Sequence, residues 1–244
     1  MSRFARVAGA AICVAGLLLA AAGTQALADT GPKSGHPKIT TRTAPRTIPS
    51  IFKSSAPQYV GAGWRTCATP ITWSVDTREL SNAMVDAQIA NLRWAFAEWS
   101  RVTGLTFAFA GSQSLSYEET NHQLLPADGT TTNDRHIYIK FAHASSTPGF
   151  TGNVDGLASP SLVMPSTKEI LQGRILLRAE YFANQGKKPD VARAINVHEI
   201  GHVLGLSHST SSKDVMYPVV ADHPTLSAVD VASTKALLQP CTTS

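Results

Sequence analysis

Apolar residues recur along the middle of the chain with two different periods. Ile71-Thr72-Trp73-Ser74-Val75 alternates, with β-branched or aromatic members, and reads as a strand. Val85, Ile89, Leu92, Phe96 and Trp99 follow at spacings of four, three, four and three, which draws one apolar stripe along a helix. Ser81 can cap that helix, which is expected to run to about Val102, and Gly104 can end it. Leu105–Ala110 and His136–Ala142 read as further strands, the latter with Ile137, Ile139 and Phe141 on one face. A long polar loop over about 111–134 is expected between them. Gly156–Val163 and Ile175–Ala179 are weaker strand candidates. Pro189-Asp190 opens a helix over about 191–204, and Ser227 with Asp230 has capping-box spacing at the start of a last helix reaching Leu238. The order predicts an α+β domain, a mixed sheet with helices packed on it.

The N-terminal quarter has a different texture. Arg3 and Arg6 precede an almost unbroken apolar run from Val7 to Ala22, and Ala26-Leu27-Ala28 fits a small-x-small cleavage pattern. Residues 1–28 therefore read as a secretory signal, and the run is shorter than the ~20 residues that span a bilayer. A secreted, extracellular protein with no stable membrane anchor after cleavage is the expectation. Residues 29–62 hold five prolines among Ser, Thr, Lys and Arg with no periodicity, so they read as a linker or a short pro-segment. The folded domain is expected over 63–244.

Composition adds two exclusions. Hydrophobic residues make up 43% of the 244, too many for a wholly disordered chain. The formal charge of +4 sits in the leader and linker, because residues 61 onward carry 14 basic and 16 acidic side chains. That balance argues against a nucleic-acid-binding domain. Removal of the leader removes Cys13 and leaves Cys67 and Cys241 flanking the domain in an oxidising compartment. A disulfide between them is expected, with two free thiols as the alternative.

The chemistry concentrates in His198-Glu199-Ile200-Gly201-His202-Val203-Leu204-Gly205-Leu206-Ser207-His208. His198 and His202 stand about one helical turn apart, so both imidazoles project from one face and can share one Zn²⁺. Glu199 is turned about 100° away, which suits a residue that meets a water and not the metal. Gly205 lets the chain leave the helix with a positive φ, so that His208 can return as a third ligand. Three nitrogen ligands leave one position open, the mark of a catalytic zinc site over a closed structural one.

This spacing, with Met216 downstream, resembles the zinc-binding motif of the metzincin metallopeptidases. Ser207-His208-Ser209, then Asp214-Val215-Met216-Tyr217-Pro218, is most similar to the matrixin branch, as are Leu226–Asp230 and the Asp155-Gly156-Leu157-Ala158 segment. The resemblance covers roughly residues 64–241. It implies a mostly parallel twisted sheet with a long packing helix, an active-site helix and a C-terminal helix. It implies a zinc-dependent endopeptidase with one catalytic zinc on His198, His202 and His208. Glu199 would be the general base toward a zinc-activated water, and Met216 the Met-turn beneath the site. Ala158 would lie along the substrate, and Ile195, Pro218 and Val220 would line the pocket beyond the scissile bond. A protein or peptide is the implied substrate, and a monomer is expected.

Other features depart from that pattern. Arg65-Thr66-Cys67 is a faint echo of a cysteine switch, and no such switch occurs in residues 29–60. His122, His136 and His143 are read as surface histidines and not as a second zinc site. Ca²⁺ could be held by loop oxygens at Asp128-Gly129 and at Asn153–Gly156, although ordinary turns explain these stretches equally well. Two other functions fit the residues: a secreted zinc-binding or adhesion module without catalysis, and a metal-dependent amide hydrolase acting on cell-wall material.

Overall fold

β-branched and aromatic residues at alternate positions of Ile71–Asp76 (β1) send Ile71, Trp73 and Val75 to one face of a sheet and Thr72, Ser74 and Asp76 to the other. That division organises the domain. The computed structural model describes residues 61–66, 69–118, 123–130, 135–184, 189–219 and 224–241. The expected signal at 1–28 and nearly all of the linker at 29–62 lie outside them. Among the described residues no helix is long and apolar enough to cross a membrane.

Five strands form the main sheet in the order β2-β1-β5-β7-β6. They are β1, Phe107–Ser112 (β2), His136–Ala142 (β5), Gly156–Val163 (β6) and Ile170–Arg178 (β7). β1 pairs in parallel with β2 and β5, and β5 in parallel with β7. β6 is antiparallel to β7 and forms one edge. The fold is thus the expected mixed, mostly parallel sheet with helices.

Helix α1 (Asn82–Thr103) begins at Ser81 and stops where Gly104 takes φ +76°, its N–H bonding Ser100 O. Its buried Leu92, Phe96 and Trp99 join Trp73, Ile137 and Ile175 in the principal core. The Trp99 indole crosses to helix α3 (Pro189–Val203), donating to Val197 O at 2.9 Å. The last helix, α4 (Ala228–Leu237), carries a complete capping box between Ser227 and Asp230. A short helix α2 (Ala179–Asn184) continues directly from β7.

The opposite face of the sheet is closed differently from the expectation. The region expected as one polar loop contains a hairpin, Leu115–Glu118 (β3) against Gln123–Pro126 (β4). Leu115 and Leu124 pack with Tyr138, Phe150, Leu157 and Leu176 into a second core. Asp76, buried at the end of β1, anchors this hairpin by accepting from Leu115 N at 2.9 Å, from Arg78 Nη2 at 2.7 Å and from Lys140 Nζ at 3.2 Å. Burial pushes the Asp76 pKa up, but these donors outweigh it and bring it down to about 2. β7 begins five residues before the expected Ile175 because Gln172 and Arg174 face this second layer, which broke the apolar pattern.

Candidate metal centre

Helix α3 is buried almost all round. Every residue of its last two-thirds, from Ala194 to Val203, is buried, as expected of a helix wedged between α1 and the sheet. It ends in a Schellman turn. Leu206 N bonds Gly201 O at 3.0 Å, Gly205 N bonds His202 O at 3.0 Å, and Gly205 has φ +103°. This reversal brings His208 back to the helix.

The three histidines converge. His198 and His202 Nε2 are 3.1 Å apart, and each lies 3.3 or 3.2 Å from His208 Nε2. His198 Nδ1 lies 2.7 Å from Val215 O and His202 Nδ1 lies 2.8 Å from Leu206 O. A carbonyl can only accept, so both Nδ1 atoms carry the proton and both Nε2 atoms present lone pairs. Two lone pairs facing one another at 3.1 Å have no proton to share and are stable together around a cation. Ligands at ~2.0–2.1 Å on a tetrahedral ion stand about 3.3 Å apart, so the donor set fits zinc. The carbonyl partners fix ring orientation, as outer partners of metal-ligating histidines do. Burial lowers the pKa of all three rings, His198 well below the ordinary value and His202 to about 4. They are therefore neutral, and competent to ligate, at pH 7. Among the described residues this is the one such cluster of metal-ligating side chains.

Glu199 is fully buried, and neither carboxylate oxygen has a hydrogen-bond partner. Burial, then the nearby Asp155 carboxylate, raises its pKa well above the ordinary value. It is seated against Gly156 at the start of β6. A Cβ on Gly156 would come 2.4 Å from Glu199 Oε1 and 2.8 Å from Cγ. Met216 packs beneath the helix, where a Cβ on Gly201 would meet its sulfur. The turn bearing Met216 is held by Asp230, which accepts from Val215 N at 2.9 Å, Met216 N at 3.4 Å and Ser227 N at 2.9 Å. Ser209 and Asp214 bond each other across the same loop, and Ser209 N bonds Met216 O.

The remaining expected residues are distributed as follows. Ala158 lies on the edge strand β6, and both it and Ile195 are buried in the principal core. Pro218 is half-buried, and Val220 lies outside the described residues. Cys241 is disulfide-bonded, and Cys67 lies outside the described residues. His136 is not a surface histidine. It is buried on β5 with Nδ1 at 2.7 Å from Thr72 Oγ1 and Nε2 at 2.9 Å from Ser74 Oγ. The small hydroxyl residues of the neighbouring strand absorb both ring nitrogens. His143 is half-exposed and pairs with Glu180 at 3.2 Å, and His122 lies outside the described residues. Asp128 closes its own turn through Thr130 N and Oγ1, the ordinary-turn explanation for that stretch. Sequence reasoning missed Gly156 as the seat of Glu199, and it saw Asp230 only as a helix cap. A glycine next to an aspartate reads as a turn, and nothing local signals a close approach from another element.

A family model described as matrixin matches residues 63–239. Among curated proteins, metalloendoproteinase 1 of Glycine max is 27% identical over 165 residues, which are 64% of this chain and 45% of that protein. Metalloendoproteinase 2-MMP of Arabidopsis thaliana is 26% identical over 163 residues, 64% of this chain and 37% of that protein. The chain thus matches less than half the length of each of these relatives.

Proposed function

The chain belongs to the matrixin family, and from that premise we propose that it is a secreted zinc metalloendopeptidase acting on proteins or extended peptides. The observation that carries the reading is the triangle of Nε2 atoms, 3.1–3.3 Å on a side, with two Nδ1 protons committed to carbonyls. His198, His202 and His208 would hold the zinc. When bound, zinc supplies Lewis acidity, polarising a carbonyl and lowering the pKa of water toward neutrality.

The protein's own groups do the rest. Glu199 takes a proton from the attacking water at a carboxylate oxygen. It then delivers that proton to the leaving nitrogen, so that one C–O bond forms and the C–N bond breaks. Its burial without hydrogen-bond partners supports this role, since a carboxylate already engaged would be a poorer base. Met216 gives the site an apolar floor and does not ligate. The outer edge of β6 offers backbone groups to an extended substrate, which would add as a further strand past Ala158. Ile195, Pro218 and Val220 are assigned to the pocket beyond the scissile bond. Cys241 is paired with Cys67, tying the first segment of the domain to its last. The unpartnered Glu199 also favours catalysis over a closed zinc-binding module, which has no use for a buried base.

The test is cleavage of unfolded casein by the secreted protein before and after chelation, with zinc added back. Activity that chelator abolishes and zinc restores is expected. Cleavage that survives complete metal removal would refute the proposal.

A further inference from the structure

The first described residues, 61–66, are threaded through the domain. Gly63 N bonds Lys168 O at 3.0 Å and Ile170 N bonds Gly63 O at 2.9 Å. On the other side Gln239 N bonds Trp64 O at 2.9 Å and Thr66 N bonds Gln239 O at 2.9 Å. Arg65 pairs with Glu169 at 2.8 Å. The fit is close enough that a Cβ on Gly63 would overlap the Leu237 carbonyl. Ala62 and Trp64 are both fully buried. The sequence pattern draws the boundary between linker and domain through this stretch, after residue 62.

Its contacts lead to the metal centre. The Trp64 indole Nε1 donates to Val203 O at 2.9 Å. Val203 is the last residue of α3, and the two Schellman bonds leave its carbonyl outside the helix's own network. Ala62 O sits against the next element of the same turn, where a Cβ on Gly205 would come within 2.4 Å of it. Gly205 is therefore required twice, for its φ of +103° and for this approach. One residue later Leu206 O receives His202 Nδ1, and two residues beyond that stands His208. The strap thus clamps the segment that orients one ligand and delivers another.

We propose that Trp64 is a positioning residue for the metal site. Through the Val203 carbonyl and the Gly205 turn, the strap Ala62–Arg65 sets the Leu206 carbonyl and His208, so loosening it weakens zinc binding. The proposal rests on the zinc reading above. It also sets a limit on processing: trimming through Trp64 releases the third ligand.

The experiment measures zinc affinity of the full chain by competition with a chromogenic chelator, alongside thermal unfolding. Trp64→Phe keeps an aromatic ring in the site but removes the N–H donor together with part of the ring volume. Its zinc dissociation constant is expected to rise about tenfold, the lower end for loss of an outer partner. Excess zinc should restore most of its peptidase activity. Arg65→Ala, which loosens the strap from outside and serves should Trp64→Phe not fold, is expected to move affinity in the same direction by about twofold to threefold, below the outer-partner range. Leu124→Ala, in the second core under the hairpin, controls for stability and should lower Tm with zinc affinity unchanged. Wild-type zinc affinity in both strap variants overturns the proposal, as does an equal loss in Leu124→Ala. A wild type that binds no zinc would instead contradict the zinc reading itself, and the positioning role with it.

Discussion

Gly156→Ala isolates the placement of Glu199 from everything else the site does. Gly156 lies in a strand and has no positive φ, so alanine is acceptable to the backbone. What it cannot avoid is the carboxylate. The new Cβ would stand 2.4 Å from Oε1, 2.6 Å from Cδ and 2.8 Å from Cγ, against an ordinary contact of 3.4 Å or more. Because the overlap involves Cγ as well as the tip, and Glu199 is fully buried, the side chain cannot simply swing aside. It must shift by about 1 Å, and a misplacement of about that size costs on the order of 10²-fold in rate. That corresponds to about 2.7 kcal/mol of transition-state stabilisation. The histidines lie on another face of the helix, so zinc should stay. The assay is kcat/KM on a fluorogenic peptide with metal content and Tm measured on the same sample. A fall of about a hundredfold with one zinc per chain and Tm within a few degrees is expected. Wild-type kcat/KM, or a fall accompanied by loss of zinc, would refute the reasoning.

Gly205→Ala should lower both Tm and zinc affinity, because a left-handed alanine costs about 1–2 kcal/mol before its clash with Ala62 O is counted. Asp230→Asn should destabilise by about 1.5–3 kcal/mol in denaturant unfolding and weaken zinc binding, since the turn that carries Val215 O to His198 loses its charged anchor. In metal-free Glu199→Gln protein, Tm should fall as pH drops from about 6.5 toward 4. The buried histidines titrate below their unfolded pKa, so the unfolded chain binds more protons in that window, and His202 alone contributes about 3 kcal/mol. In the native metal-free protein Glu199 opposes this trend: its raised pKa means that stability is lost as pH rises from about the unfolded value of 4.5. Glu199→Gln should therefore raise the metal-free Tm at pH 7, as differential scanning calorimetry would show.

The convergence of the three histidines is legible because it is local. Two of the proposed ligands and the proposed base lie within one turn of one helix, and Gly205 announces the reversal that returns His208. Helix α1 was legible for a similar reason, from its apolar stripe and the glycine that ends it, although the Ser81 side chain at its N-cap makes no cap hydrogen bond. What escaped depended on other elements. Among the described residues of the β3–β4 hairpin, Leu115 and Leu124 are the aliphatic anchors in the second core, too few to stand out among polar neighbours. β7 was foreshortened because Gln172 and Arg174 face the second layer, where the sheet tolerates polar residues. His136 passed as a surface residue because its partners, Thr72 and Ser74, lie more than sixty residues away in sequence. The strap at Trp64 falls at the expected start of the domain, but its contacts depend on carbonyls that no sequence pattern marks.

The proposed roles, a zinc on His198, His202 and His208 and proton transfer by Glu199, separate in one comparison: zinc content and casein cleavage measured side by side on wild type and Glu199→Ala. One zinc per chain in both, with cleavage only in the wild type, is the predicted result. A zinc-replete Glu199→Ala protein that cleaves at the wild-type rate would contradict it.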